Sequence, residues 1–232
     1  MRSAQIKPVL AMFDPRARGA GEADWAGLFA KQPSWSPREG PLVVVAPHPD
    51  DEVVAAGGLI HAWVARGAQV SVLSVSDGEA ADPKHKRLAL VRREELMQAL
   101  RKLCPTHVSV TRLGLPDGGI ARYLNRVRNA LSSLRSGQST LISPYEHDGH
   151  PDHDAVGGMC LEFARANDIP IARYAIRAWE RAIPEALRSA GWVRFVLTEE
   201  ARRAKARALE CFRSRRHPAP GHCERSFEPF LV

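Results

Sequence analysis

The sequence predicts an α/β sandwich: a mostly parallel sheet with helices on both faces and a site at the C-terminal ends of the strands. Two observations carry this. From Pro41 onward, short apolar runs alternate with helical segments, and parallel neighbours need crossover connections of that kind. The ionisable residues also gather just after the apolar runs, in "PHPDDE", "DGEAAD", "GLPDGG" and "PYEHDGHPDHD". Sheets of this class form ligand sites at those strand ends. A length of 232 residues suits one such domain and can bury a core without covalent staples.

Residues 1–40 hold Gly, Pro and scattered charge without clear periodicity, and read as an N-terminal extension that packs on a domain of residues 41–232. Trp25, Phe29 and Trp35 need apolar surroundings there. "LVVVA" (42–46) is a buried strand, and "DEVVAAGGLIHAWVARG" is a helix closing at Gly67. A second strand spans 69–76, and a long helix runs through "RLALVRREELMQALRKL". A third strand covers 107–113, a helix "YLNRVRNALSSLRS", and a fourth strand 139–144. The helix "HDAVGGMCLEFARAN", a strand at 169–176, a strand at 193–197 and a helix over 198–212 complete the pattern.

Composition narrows the function classes. An apolar fraction of 44% and a charged fraction of 25% exclude fibres and wholesale disorder. The net charge of +7 is concentrated between Arg202 and Arg216, where seven basic residues face Glu210. No aromatic stacking platform accompanies them, so a solvated helix face is the simpler reading and a nucleic-acid partner is not expected. Cys104, Cys160, Cys211 and Cys223 form no CxxC pair and read as reduced structural thiols. No stretch reaches membrane-spanning length, and a cytoplasmic location is expected. Assembly into a homo-oligomer stays open.

A helix start explains part of "HPDDE" (48–52): proline suits the first helical position, and acids complement the positive end of the dipole. It does not explain His48, nor His150 and His153 in "HPDHD". Three imidazoles at adjacent strand ends suit a hydrolytic Zn2+ site, which takes three protein ligands and leaves one position for water. His48 and Asp51 can converge across the strand-to-helix turn, with His153 as third ligand. Asp50 is then the general base, and His150 the acid or oxyanion stabiliser, its ring held by Asp152. Such nitrogen and oxygen donors also suit Fe2+. GxGxxG, GxxxxGK[ST] and GxSxG motifs are absent.

These residues resemble the PIG-L or LmbE-like family of zinc-dependent N-deacetylases. The family's (A/P)HPDDE after a strand stands here as "VVVAPHPDDEVVAAGG", and its HPDH as "GHPDHDAVG". Weaker echoes are "SDGEA", "RREEL", "LGLPDGG", "KARALECFRS" and "ERSFEPF". The resemblance covers roughly residues 41–230. It implies a Rossmann-like sheet, the same ligands and base, and sugar-contacting roles for Arg92 and Asp117. It also implies removal of an acetyl group from an N-acetylated amino sugar or glycoconjugate. Asp148 stands where some members carry tyrosine, which leaves that loop without the tyrosine's help. Two alternatives remain: a metal-dependent amidase for larger N-acyl or thiol-conjugate substrates, and a basic-surface binding protein with a vestigial metal site.

Overall fold

The computed structural model describes residues 22–104, 106, 108–134, 138–178, 191–215 and 225–232. The strands are β1 (Leu42–Ala46), β2 (Val70–Ser76), β3 (Ser109–Leu115), β4 (Thr140–Pro144), β5 (Ile171–Tyr174), β6 (Trp192–Val196) and β7 (Phe227–Leu231). They form one sheet in the order β3-β2-β1-β4-β5-β7-β6, parallel from β3 through β5, with β7 antiparallel to both β5 and β6. The chain works outward from β1 in one direction and then in the other, so the crevice at the switch point opens between the ends of β1 and β4.

Among the described residues six α-helices cover the sheet: α1 (Glu22–Ala30), α2 (Asp51–Ala65), α3 (Leu88–Leu103), α4 (Leu124–Leu131), α5 (Pro151–Ala166) and α6 (Glu199–Leu209). Strand residues alternate between the two faces. Val44, Val72 and Ile142 pack with Leu59, Ile60, Leu96, Leu100 and Ala204 of α2, α3 and α6. Val45, Leu73 and Leu141 pack with Val127, Val156, Met159 and Phe163 of α4 and α5. A third cluster at the β6–β7 end gathers Trp25, Phe29, Trp192 and Phe227. Trp35 packs beside the first core, against Phe230.

Several predicted bounds shift. β3 begins at Ser109 and runs on to Leu115, and Ile120–Tyr123 form a 3-10 turn before α4. Among the described residues, α1, β7 and a 3-10 turn at Glu79–Ala81 are absent from the prediction. Cys104, Cys160 and Cys211 are buried free thiols, whereas Cys223 lies outside the described residues, as do residues 1–21. No described helix is long and apolar enough to cross a membrane.

α2 is broken near its middle. Ala56 has non-helical dihedrals (φ −134°, ψ 15°), and the next N–H groups need new acceptors. Glu228 of β7 provides them: its Oε1 accepts from Gly58 N–H at 2.7 Å and its Oε2 from Leu59 N–H at 2.8 Å. Lys205 Nζ of α6 donates to the same carboxylate at 2.6 Å, and both side chains are almost wholly buried.

Candidate active site

β1 runs into Pro47, whose carbonyl accepts from Ser76 N–H at 3.0 Å and from Ser76 Oγ–H at 2.7 Å. This pins the ends of β1 and β2 together. Asp50 then turns the chain into α2 with φ 116° and ψ −27°, a left-handed conformation that strains a non-glycine residue. Its side chain makes no capping bond. At the end of β4, His150 opens α5 with Pro151 in the first turn.

These two turns bring His48, Asp51 and His153 together. His48 Nδ1 lies 3.2 Å from His153 Nε2 and 3.4 Å from Asp51 Oδ2, and His153 Nε2 lies 3.2 Å from that same oxygen. Tetrahedral zinc with nitrogen and oxygen ligands at about 2.0–2.1 Å requires ligand atoms about 3.3 Å apart. The three donor atoms meet that requirement. Their outer partners fix the tautomers in the same sense. His153 Nδ1–H donates to Asp148 Oδ2 at 2.7 Å. His48 Nε2–H faces Asp117 Oδ1 at 3.1 Å and Asp152 Oδ2 at 3.3 Å. Each ring thereby turns a lone pair inward beside a carboxylate oxygen, a cluster that calls for a cation. Burial disfavours charge on His48, but Asp117, Asp152 and Asp51 outweigh it and raise its pKa. Asp51 is held well below the usual carboxylate range: burial opposes this, and the two histidines overcome it.

A family model described as "PIG-L: GlcNAc-PI de-N-acetylase" matches residues 43–164, a stretch that carries both histidine turns. The chain belongs to the PIG-L family. It is 26% identical over 172 residues to the 1D-myo-inositol 2-acetamido-2-deoxy-alpha-D-glucopyranoside deacetylase of Geodermatophilus obscurus. That match takes in 61% of this chain and 58% of the relative, so the chain spans less than two thirds of that protein. Among solved structures, a conserved protein of Thermus thermophilus superposes with a TM-score of 0.63 at 23% identity, over 82% of this chain and 93% of the other. The N,N'-diacetylchitobiose deacetylase of Pyrococcus horikoshii gives 0.59 at 19% identity, over 75% and 70%. Both are likenesses of fold.

In this PIG-L chain, a cleft of about 370 Å³ opens over the cluster, lined by Asp50, Arg92, Asp117, His150 and Arg215 among others. Burial, then the neighbouring Asp51 charge, pushes the Asp50 carboxyl up to about 6, with Arg215 and Arg92 opposing the rise. The His150 ring stands 4.9 Å from His48 and 5.0 Å from His153, centroid to centroid. Burial, reinforced by those two rings, lowers its pKa to about 4, so it is neutral near pH 7. Its Nδ1 accepts from Asp152 N–H at 3.2 Å, so the proton of the neutral ring sits on Nε2.

One sequence expectation is corrected: it is the backbone N–H of Asp152 that meets the His150 ring, and its carboxylate serves elsewhere. That carboxylate turns to His48 and also accepts from Gly118 N–H at 2.8 Å and Ile120 N–H at 3.2 Å. Asp117, expected to touch substrate, reaches the cleft but also binds His48 and accepts from Ala80 N–H at 2.9 Å. Arg92 is buried and donates to the Gly78 carbonyl at 2.9 Å. Gly78 has φ +67°, and a Cβ there would sit 1.9 Å from the Arg92 guanidinium.

Two site residues were missed from sequence. Asp148 is fully buried, orients His153, and accepts from the N–H groups of Ile176, Arg177 and Ala178 at 2.8, 3.1 and 3.0 Å. An acid five residues before a ligand histidine was the available signal. Arg215, hidden in the basic run, places Nε 3.0 Å from Asp50 Oδ2.

Proposed function

We propose that this protein is a zinc-dependent hydrolase that removes the acetyl group from an N-acetylated amino sugar or glycoconjugate. The observation that carries the reading is the triangle of donor atoms from His48, Asp51 and His153, at 3.2–3.4 Å, beneath a cleft that also holds Asp50 and His150. The names of its relatives support the substrate class, since both the Geodermatophilus and the Pyrococcus proteins are described as deacetylases of N-acetylated sugars.

His48, Asp51 and His153 would hold Zn2+, or Fe2+ with the same donors. When bound, the cation supplies Lewis acidity, polarising the amide carbonyl and acidifying water. Asp50 accepts the proton from water as its oxygen adds to the carbonyl carbon; a base whose pKa lies near the working pH suits this step. His150 donates Nε2–H to the carbonyl oxygen as negative charge develops there. When the carbon–nitrogen bond breaks, the proton held by Asp50 passes to the nitrogen, and the amine and acetate depart. Asp152 acts through His48, and Arg92 and Asp117 orient the sugar from the wall of the cleft. Residues 41–232 are proposed as the catalytic domain and residues 1–40 as an N-terminal extension; for its described part, the burial of Trp25 and Phe29 against Trp192 and Phe227 supports packing on the domain.

The test pairs metal analysis of the purified protein with an acetate-release screen over N-acetylglucosamine derivatives that differ at the anomeric position. Asp50→Ala should retain zinc and lose about 10²- to 10⁴-fold in turnover. Full activity in that variant would remove Asp50 as the base. Longer N-acyl groups in the same screen separate deacetylation from a broader amidase activity.

A further inference from the structure

The first three basic residues of the run from Arg202 are tied up in pairs. Arg202 and Arg203 bind Glu199, and Lys205 binds Glu228. Arg215 instead turns inward: its side chain is 18% exposed and it reaches Asp50. Its approach is set one residue earlier, where Ser214 donates its N–H to Glu95 Oε1 at 2.9 Å and its Oγ–H to Glu95 Oε2 at 2.5 Å. Glu95 is buried on α3, one turn from Arg92 and on the same face. A buried carboxylate that takes both donors of one serine fixes the backbone there, and the next side chain is directed into the cleft.

Asp50 needs such a partner. Its left-handed backbone aims the side chain into the cleft without a capping bond, and its neighbour Asp51 is a second carboxylate. A charge-assisted contact to one oxygen holds the rotamer and offsets the repulsion between the two acids.

We propose that Arg215 is a positioning residue for Asp50, delivered to the cleft by the Glu95–Ser214 clamp. This rests on the reading of Asp50 as the base. The assay uses the full chain loaded with zinc and an N-acetylglucosamine glycoside that the wild type deacetylates. Arg215→Ala is expected to lower kcat about 10- to 100-fold, the usual effect of deleting a charge-assisted hydrogen bond, with KM within about twofold and bound metal unchanged. Methylguanidinium in the buffer should restore part of that loss, and Arg215→Lys should keep more activity than Arg215→Ala. Glu95→Ala should reproduce the kcat loss, and adding it to Arg215→Ala should cost no more, because the two act as one unit.

A raised KM with kcat intact would make Arg215 a substrate contact, and additive losses would separate the clamp from the arginine; either result overturns the proposal. A wild type that releases no acetate from any acetamide is a failure of the activity reading alone. Thermal unfolding of Asp50→Ala, Arg215→Ala and the double variant then reads the pair directly. Non-additive melting shifts support the contact, and additive shifts overturn it.

Discussion

Glu228→Ala should be among the most destabilising single changes in the chain. The side chain it truncates is 1% exposed and holds three donors: Gly58 N–H, Leu59 N–H and the Lys205 ammonium, itself 3% exposed. Removing one partner of a buried ion pair costs about 3–5 kcal/mol. Each orphaned buried N–H adds about 1–3 kcal/mol, although the two effects overlap because water entering the cavity can serve both. A loss of about 4–6 kcal/mol is the expectation, read as a fall in the urea midpoint at pH 7 with the slope unchanged. Lys205→Met should cost less, because Glu228 then keeps both backbone donors. Adding Lys205→Met to Glu228→Ala should recover only the ion-pair part, leaving the two N–H groups at the α2 break without an acceptor. A Glu228→Ala loss below about 1 kcal/mol, or a larger loss for Lys205→Met, would refute the view that the carboxylate serves the broken helix.

Asp148→Asn should weaken metal binding about 10- to 100-fold, as loss of an outer partner of a ligand histidine usually does, measured by competition with a chromophoric chelator. Full stripping with a chelator should lower the melting temperature, and zinc at about a hundred times its Kd should return about 2.7 kcal/mol of stability, read by calorimetry. An unchanged melting temperature on stripping and reloading would place metal binding elsewhere.

The parallel half of the fold was legible because its strands are continuous apolar runs. β1 was predicted over its whole length, and β2 and β4 to within a residue. β7 was not, because Glu228 and Pro229 interrupt a five-residue strand. Its apolar signal is carried by Phe227, Phe230 and Leu231, and β5 pairs with it at Leu231 alone. α1 was missed because alanines, a glycine and one pair of aromatics four apart, Trp25 and Phe29, give little periodicity. In the site, the donors of the central triangle could be named because they sit in dense local motifs. Which residue each long-range partner serves could not be read. Asp152 serves a histidine 104 residues away, and Arg215 an aspartate 165 residues away. The second of these looked from sequence like a member of a solvated charge run.

The backbone at Asp50 sets a trap for protein engineering. A left-handed non-glycine residue stores about 1–3 kcal/mol, so replacement by glycine relieves strain while deleting the carboxylate. A library of variants ranked by heat resistance alone would therefore enrich glycine at position 50 and, on the proposed role of Asp50 as the base, accumulate hardier proteins that no longer turn over substrate. Selection schemes need either that codon held constant or a catalytic readout at every round.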